Sequence, residues 1–232
     1  MRLKVADDLD ALERTDEAVE TLRGLARERP ERSDALIALG DLLRGKERWL
    51  ESVAAYDEAF ERIGEPSQRH WRPLYARGIA LERSRQWPRA EEDFLAALDL
   101  VPDQPFVLNY LGYSWVDKGV NLERAMAMIE RAVDLRPNDG YIIDSLGWAH
   151  YRMGNFADAV LHLERAIELR PDDPTINDHL GDAFWRVGRR VEAGFQWRRA
   201  LAMDPEEEGM AVAIKDKIEH GLLPSPVADG AS

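Results

Sequence analysis

Apolar residues along the chain recur at spacings of three and four, interrupted by short polar breaks such as Met153-Gly154-Asn155. That alternation predicts pairs of antiparallel helices. In one well-marked stretch it places a first helix over about 140–153 and a second over about 156–169. The pattern repeats with a period of 34: Leu146, Gly147, Ala159, Leu163, Ala166 and Pro171 return as Leu180, Gly181, Ala193, Trp197, Ala200 and Pro205. A glycine inside a helix costs about 1 kcal/mol against alanine, so its recurrence needs a packing reason. Close approach of the second helix, itself bearing Ala159 and Ala166, supplies one. Pro171 stops the second helix because proline cannot continue it.

Fixed-period similarity with this small and large pattern marks a helix-turn-helix repeat array. The chain resembles the tetratricopeptide repeat (TPR) family over nearly all of its length. The resemblance implies an all-α, right-handed superhelical α-solenoid with a C-terminal capping helix. Its domain reading is one solenoid over 1–222, with a partial repeat at 1–32 and full repeats at 33–66, 71–104, 105–139, 140–173 and 174–207. A capping helix follows over 207–221, with Met210, Ile214 and Ile218 as an apolar stripe, and then a flexible tail over 222–232. The partial repeat would need a helix before Met1, so the chain is expected to be a fragment of a longer repeat protein. Three departures stand out: Ser52 replaces the usual alanine, Gly64 replaces the usual proline, and Arg77 replaces an apolar residue, predicting a looser join. Residues Pro66 to His70 lengthen one connection.

Charge and composition narrow the function. A net charge of −13 argues against nucleic acid as the main partner, since phosphate binding draws on clustered Lys and Arg. There are no cysteines and no apolar run long enough to span a bilayer, and the start MRLKVADDLDALE is too charged for a signal peptide. None of the five histidines makes an i, i+4 zinc pair around a glutamate, and no phosphate loop, nucleophile elbow or calcium loop occurs. His150 reads as a satisfied interior histidine. No catalytic residue, metal or cofactor is expected.

The resemblance implies a concave groove lined by side chains at the second, fifth, ninth, twelfth and thirteenth positions of each repeat. Carried over residue by residue, these are Arg72, Tyr75, Ile79, Glu82 and Arg83, then Phe106, Asn109, Tyr113, Val116 and Asp117. The next two repeats give Tyr141, Asp144, Trp148, Tyr151 and Arg152, then Thr175, Asp178, Asp182, Trp185 and Arg186. Tyr75, Asn109, Tyr113, Asp144, Trp148, Tyr151, Arg152, Asp178, Asp182, Trp185 and Arg186 form the candidate partner-binding set. Partly exposed rings flanked by hydrogen-bonding groups suit an extended peptide. Packing of those rings between adjacent first helices is the alternative, and Arg83, Arg152 and Arg186, at the thirteenth position, either form a basic rim or pair with the aspartates. The lysines of the TPR subtype that grips a C-terminal carboxylate are absent. Trp115 and Trp197 are expected in the core. The function implied is a non-catalytic scaffold for a protein or peptide; the rivals are a self-associating assembly module and a regulatory region of a larger enzyme. Resemblance to bacterial envelope TPR adaptors implies an extracytoplasmic place, with a cytoplasmic regulator as the alternative.

Overall fold

A computed structural model describes residues 9–205 and 209–223; the start of the partial repeat, the acidic run at 206–208 and the tail beyond 223 lie outside the described residues. The described residues are all-α, without strands. The chain divides into two compact units, Met1–Val107 and Leu108–Ser232. In the first, α1 (Thr15–Glu28) packs on α2 (Asp34–Gly45), which pairs with α3 (Trp49–Ile63). A 3-10 turn (Gln68–His70) then leads into the hairpin α4 (Trp71–Arg83) and α5 (Trp87–Leu100). Helix α6 (Pro105–Lys118) begins in the first unit and runs mostly in the second. The second unit continues with α7 (Leu122–Leu135), the hairpins α8 (Gly140–Arg152) with α9 (Phe156–Leu169) and α10 (Pro174–Arg186) with α11 (Arg190–Ala202), and α12 (Met210–His220) against α11.

Capping chemistry starts several of these helices. Asp139 accepts a hydrogen bond from the Tyr141 amide, and Asp173 accepts one from Ile176 with Pro174 in the first turn. The hairpins close as the small residues require. A Cβ on Gly147 would stand 2.6 Å from Leu163 Cγ, one on Gly78 would stand 2.6 Å from the Phe94 ring, and one on Gly181 would collide with Trp197. The turns within the hairpins α2–α3, α4–α5, α8–α9 and α10–α11 each hold one left-handed residue, and the turn between α6 and α7 holds two, Gly119 and Asn121. Gly154 and Gly188 take that conformation without steric cost, whereas Glu47 and Arg85 adopt the same positive φ with a Cβ. Trp115 and Trp197 are both fully buried.

The three departures have local explanations. Ser52 is buried and donates its hydroxyl to the Gly40 carbonyl at 2.8 Å, so a polar atom is tolerated where alanine is usual. Gly64 ends α3 in a left-handed conformation (φ 67°), stopping the helix without proline. The expectation of a looser join at Arg77 is overturned. Its guanidinium forks onto Asp93 through two 2.7 Å bonds, reaches Asp57 on α3 at 3.0 Å and lies 4.4 Å over the Phe60 ring. The arginine ties the hairpin α4–α5 to α3.

Candidate functional site

In the second unit the predicted residues are drawn largely into packing between successive helices. Trp148 is half-buried and stacks on Tyr151 (centroids 4.7 Å, planes 7° apart) and on His179 of α10 (4.0 Å, 14°). His179 Nδ1 lies 2.9 Å from Asp144 Oδ1, and both side chains are buried. Burial alone would push the His179 imidazole down, but Asp144, with Asp178 and Asp182 nearby, outweighs it and raises it above the ordinary histidine value. A histidine raised on folding contributes stability that is fully present below its unfolded value near 6.5 and is lost as pH climbs through the higher folded value. The second unit is therefore expected to weaken as pH rises from about 6.5. His162, lowered by burial and by His150, acts oppositely below that range. NMR titration of His179 beside denaturation midpoints checks this; a midpoint at or below 6.5 contradicts it.

The last predicted positions are covered by α12 and the residues after it. Lys217 Nζ lies 2.7 Å from Asp178 and 2.9 Å from Asp182, while Asp182 also accepts from Trp197 Nε1 at 2.9 Å. Gly221 packs so tightly on Trp185 that a Cβ there would collide with the indole. Arg186 donates to the Tyr151 hydroxyl at 3.2 Å and to the Leu223 carbonyl at 2.6 Å, and Arg152 holds Asp117 at 3.1 Å. These findings correct the groove expectation. Asp144 and Asp182 are buried and Asp178 is ion-paired, so the three carboxylates serve internal partners, and Trp185 and Arg186 lie beneath the chain's own C-terminal segment. His150 is also corrected: its Nδ1 is buried without a hydrogen-bond partner, and its ring stacks on His162 at 5.2 Å. Asn109 and Tyr113 do line an open pocket of about 240 Å³, together with Tyr141 and Asp144. The buried Asn109 Oδ1 has no partner there.

Tyr75 faces a larger site in the first unit. A solvent-open groove of about 840 Å³ runs between α2 and α4, bounded by the 3-10 turn and the first residues of α6. Ile37, Trp71, Pro73, Tyr75 and Phe106 give it apolar surface, and Arg32, Arg44, Arg69 and Arg72 bring guanidinium groups. Burial pushes the Tyr75 phenol up to about 12, against the pull of nearby Arg44. The 3-10 turn is held by Ser67 and His70. The Ser67 amide donates to His70 Nδ1 at 2.9 Å, and the His70 amide returns a bond to the Ser67 carbonyl at 2.7 Å. Burial, then the charge of Arg69, keeps this imidazole below the ordinary histidine value.

Among the described residues no three His, Cys, Asp or Glu side chains are grouped to hold a metal, and no helix is long and apolar enough to cross a membrane. The tetratricopeptide repeat profile matches residues 3–66 and 75–140, and a second TPR profile matches 147–188. The chain belongs to the tetratricopeptide repeat family. A TPR repeat-containing protein of Pseudomonas aeruginosa is 29% identical over 159 residues, covering 68% of this chain and 26% of that protein. The chain thus spans about a quarter of that relative's length. Among solved structures, a TPR protein from Parabacteroides merdae superposes with a TM-score of 0.78 at 15% identity, covering 94% of this chain and 84% of the other. The Cut9–Hcn1 hetero-tetramer of the APC/C gives 0.76 at 18% identity, covering 95% and 42%. YrrB, described as a TPR protein with an unusual peptide-binding site, gives 0.59 at 20% identity, covering 85% and 99%. At these identities the likeness is one of fold.

The TPR register also locates what sequence reasoning passed over. Applied to the repeat beginning at residue 33, the second, fifth, ninth and twelfth positions are Asp34, Ile37, Asp41 and Arg44, and all four line the large groove. That signal was present in the sequence. Arg69 and His70 carried none, because they sit in the lengthened connection outside the repeat numbering.

Proposed function

We propose that this TPR chain is a non-catalytic protein-interaction scaffold, and that an extended segment of a partner protein lies in the groove between α2 and α4. The observation carrying this reading is the groove itself: open to solvent, about 840 Å³ in volume and lined by rings beside guanidinium groups. Pockets that bind ligands combine mostly apolar walls with a few convergent polar groups, and this one does so where the family's first helices face inward. An extended peptide needs both, apolar seats for its side chains and charged or polar partners for its own polar groups. Self-association is the second reading. It draws on Val191 and Phe195, one turn apart on α11 and 82% and 59% exposed.

Phe106, 39% exposed at the groove edge, separates the two readings. Phe106→Ser is expected to weaken partner capture about tenfold, roughly 1.4 kcal/mol, with the melting temperature almost unchanged. Phe195→Ser is expected to leave capture intact. Capture retained in Phe106→Ser and lost in Phe195→Ser would favour the α11 surface instead.

A further inference from the structure

We propose that the groove between α2 and α4 selects a partner segment rich in Asp and Glu, whose carboxylates are taken by Arg44, Arg69 and Arg72 while its apolar side chains rest on Ile37, Trp71 and Tyr75. This rests on the groove being the binding site. The lining carries four arginines against Glu31, Asp34 and Asp41, a local positive excess on a chain of net charge −13. Two of those carboxylates are already engaged. Asp34 holds Arg32 through bonds of 3.0 and 2.7 Å, and Asp41 accepts the Tyr56 hydroxyl at 2.7 Å.

Of the other three arginines, Arg44 has only a long ion pair, and Arg69 and Arg72 have no carboxylate partner among the described residues. Arg44 Nη2 stands 3.8 Å from Asp41, beyond hydrogen-bonding reach, and Arg44 Nε is buried with no partner. Arg72 lies over the Trp71 ring at 5.4 Å. Arg69 Nε points at His70 Nε2 at 3.1 Å, but His70 Nδ1 is already approached by the Ser67 amide. A neutral imidazole accepts at only one nitrogen, so that contact does not satisfy Arg69. A buried donor without an acceptor is costly, and a planar guanidinium is matched most closely by a carboxylate. A bound acidic side chain would supply the acceptor that the buried Arg44 Nε lacks and would pair with the exposed Arg69 and Arg72 guanidiniums in place of water. The rest of the chain repels an acidic peptide, so capture of one reports the groove rather than a diffuse field.

The test uses the full chain with a fluorescent peptide alternating Glu and Leu, beside peptides with Gln or Lys in place of Glu. The Glu peptide is expected to bind about tenfold tighter than the Gln peptide, and Arg69→Gln with Arg72→Gln to remove about that factor. Arg69 and Arg72 are exposed, so these variants are expected to melt like the wild type; Arg44→Lys against Arg44→Gln tests the half-buried member. Equal binding of the Glu and Gln peptides, both lost in Phe106→Ser, overturns the acidic preference and leaves the groove standing. Binding of none of the three overturns both. Displacement of the Glu peptide by a single-stranded oligonucleotide, or self-association in sedimentation that Arg69→Gln abolishes, assigns the arginines to another occupant and overturns the proposal.

Discussion

Lys217→Ala is expected to destabilise the C-terminal unit by about 3 kcal/mol, because removing one partner of a buried ion pair strands the other. Here it strands two carboxylates. The Asp178 and Asp182 side chains are only 13% and 7% exposed, and Asp178 Oδ1 already lacks a partner. Burial opposes the Lys217 charge, but Asp182 and Asp178 outweigh it and raise the ammonium above its ordinary value of 10.5. Its contribution is therefore complete below that pH and lost only as pH rises through the higher folded value. Asp182 is pushed upward by burial against the pull of Lys217, so neutralising the acids should rescue the lysine variant. Lys217→Met with Asp178→Asn and Asp182→Asn is expected to recover most of the loss, as replacing a whole buried charge cluster is often neutral. Urea denaturation of the three proteins decides it; a loss under about 0.5 kcal/mol for Lys217→Ala would place the ion pairs among exposed ones.

Arg77→Ala is expected to cost the N-terminal unit a similar amount, about 3 kcal/mol. The side chain is 16% exposed, and it leaves behind Asp93 at 8%. Burial raises the Asp93 carboxyl and the bidentate Arg77 pulls it back, so the variant's Asp93 is expected to take up a proton more readily than the wild type's. Arg77→Lys keeps the charge but loses the fork, and is expected to recover only part of the stability. Trp49, Trp71 and Trp87 are the tryptophans of this unit, so an intrinsic-fluorescence transition moving to lower denaturant is the readout. Equal stability of Arg77→Ala and wild type would mean that the α3–α4 join rests on apolar packing alone.

The hairpins were legible because the same small residues must recur wherever two helix axes approach. Gly147 against Leu163 and Gly181 against Trp197 are two copies of one steric condition, so period and packing carry the same information. Individual joins were less legible. Arg77 looks like a defect in an apolar pattern until Asp57 and Asp93, twenty residues before it and sixteen after, are found around it. The groove was half legible: the repeat register names Tyr75 and Arg72 and extends to Ile37 and Arg44, but no register reaches Arg69. Nor does a register say that a position is covered. Asp178, Asp182, Trp185 and Arg186 hold groove positions, yet α12 and the residues after it occupy the space those side chains would offer a ligand. Trp148 belongs with them, because its faces meet rings of its own helix and the next.

Photocrosslinking from position 37, with the reactive amino acid in place of Ile37 on α2, tests most directly whether the first-unit groove holds a partner. The expected product is one contiguous, extended partner segment joined to position 37, and its yield should fall in Phe106→Ser. Crosslinks scattered over the partner's surface, or joined instead from a reactive residue placed at Phe195, would contradict the account.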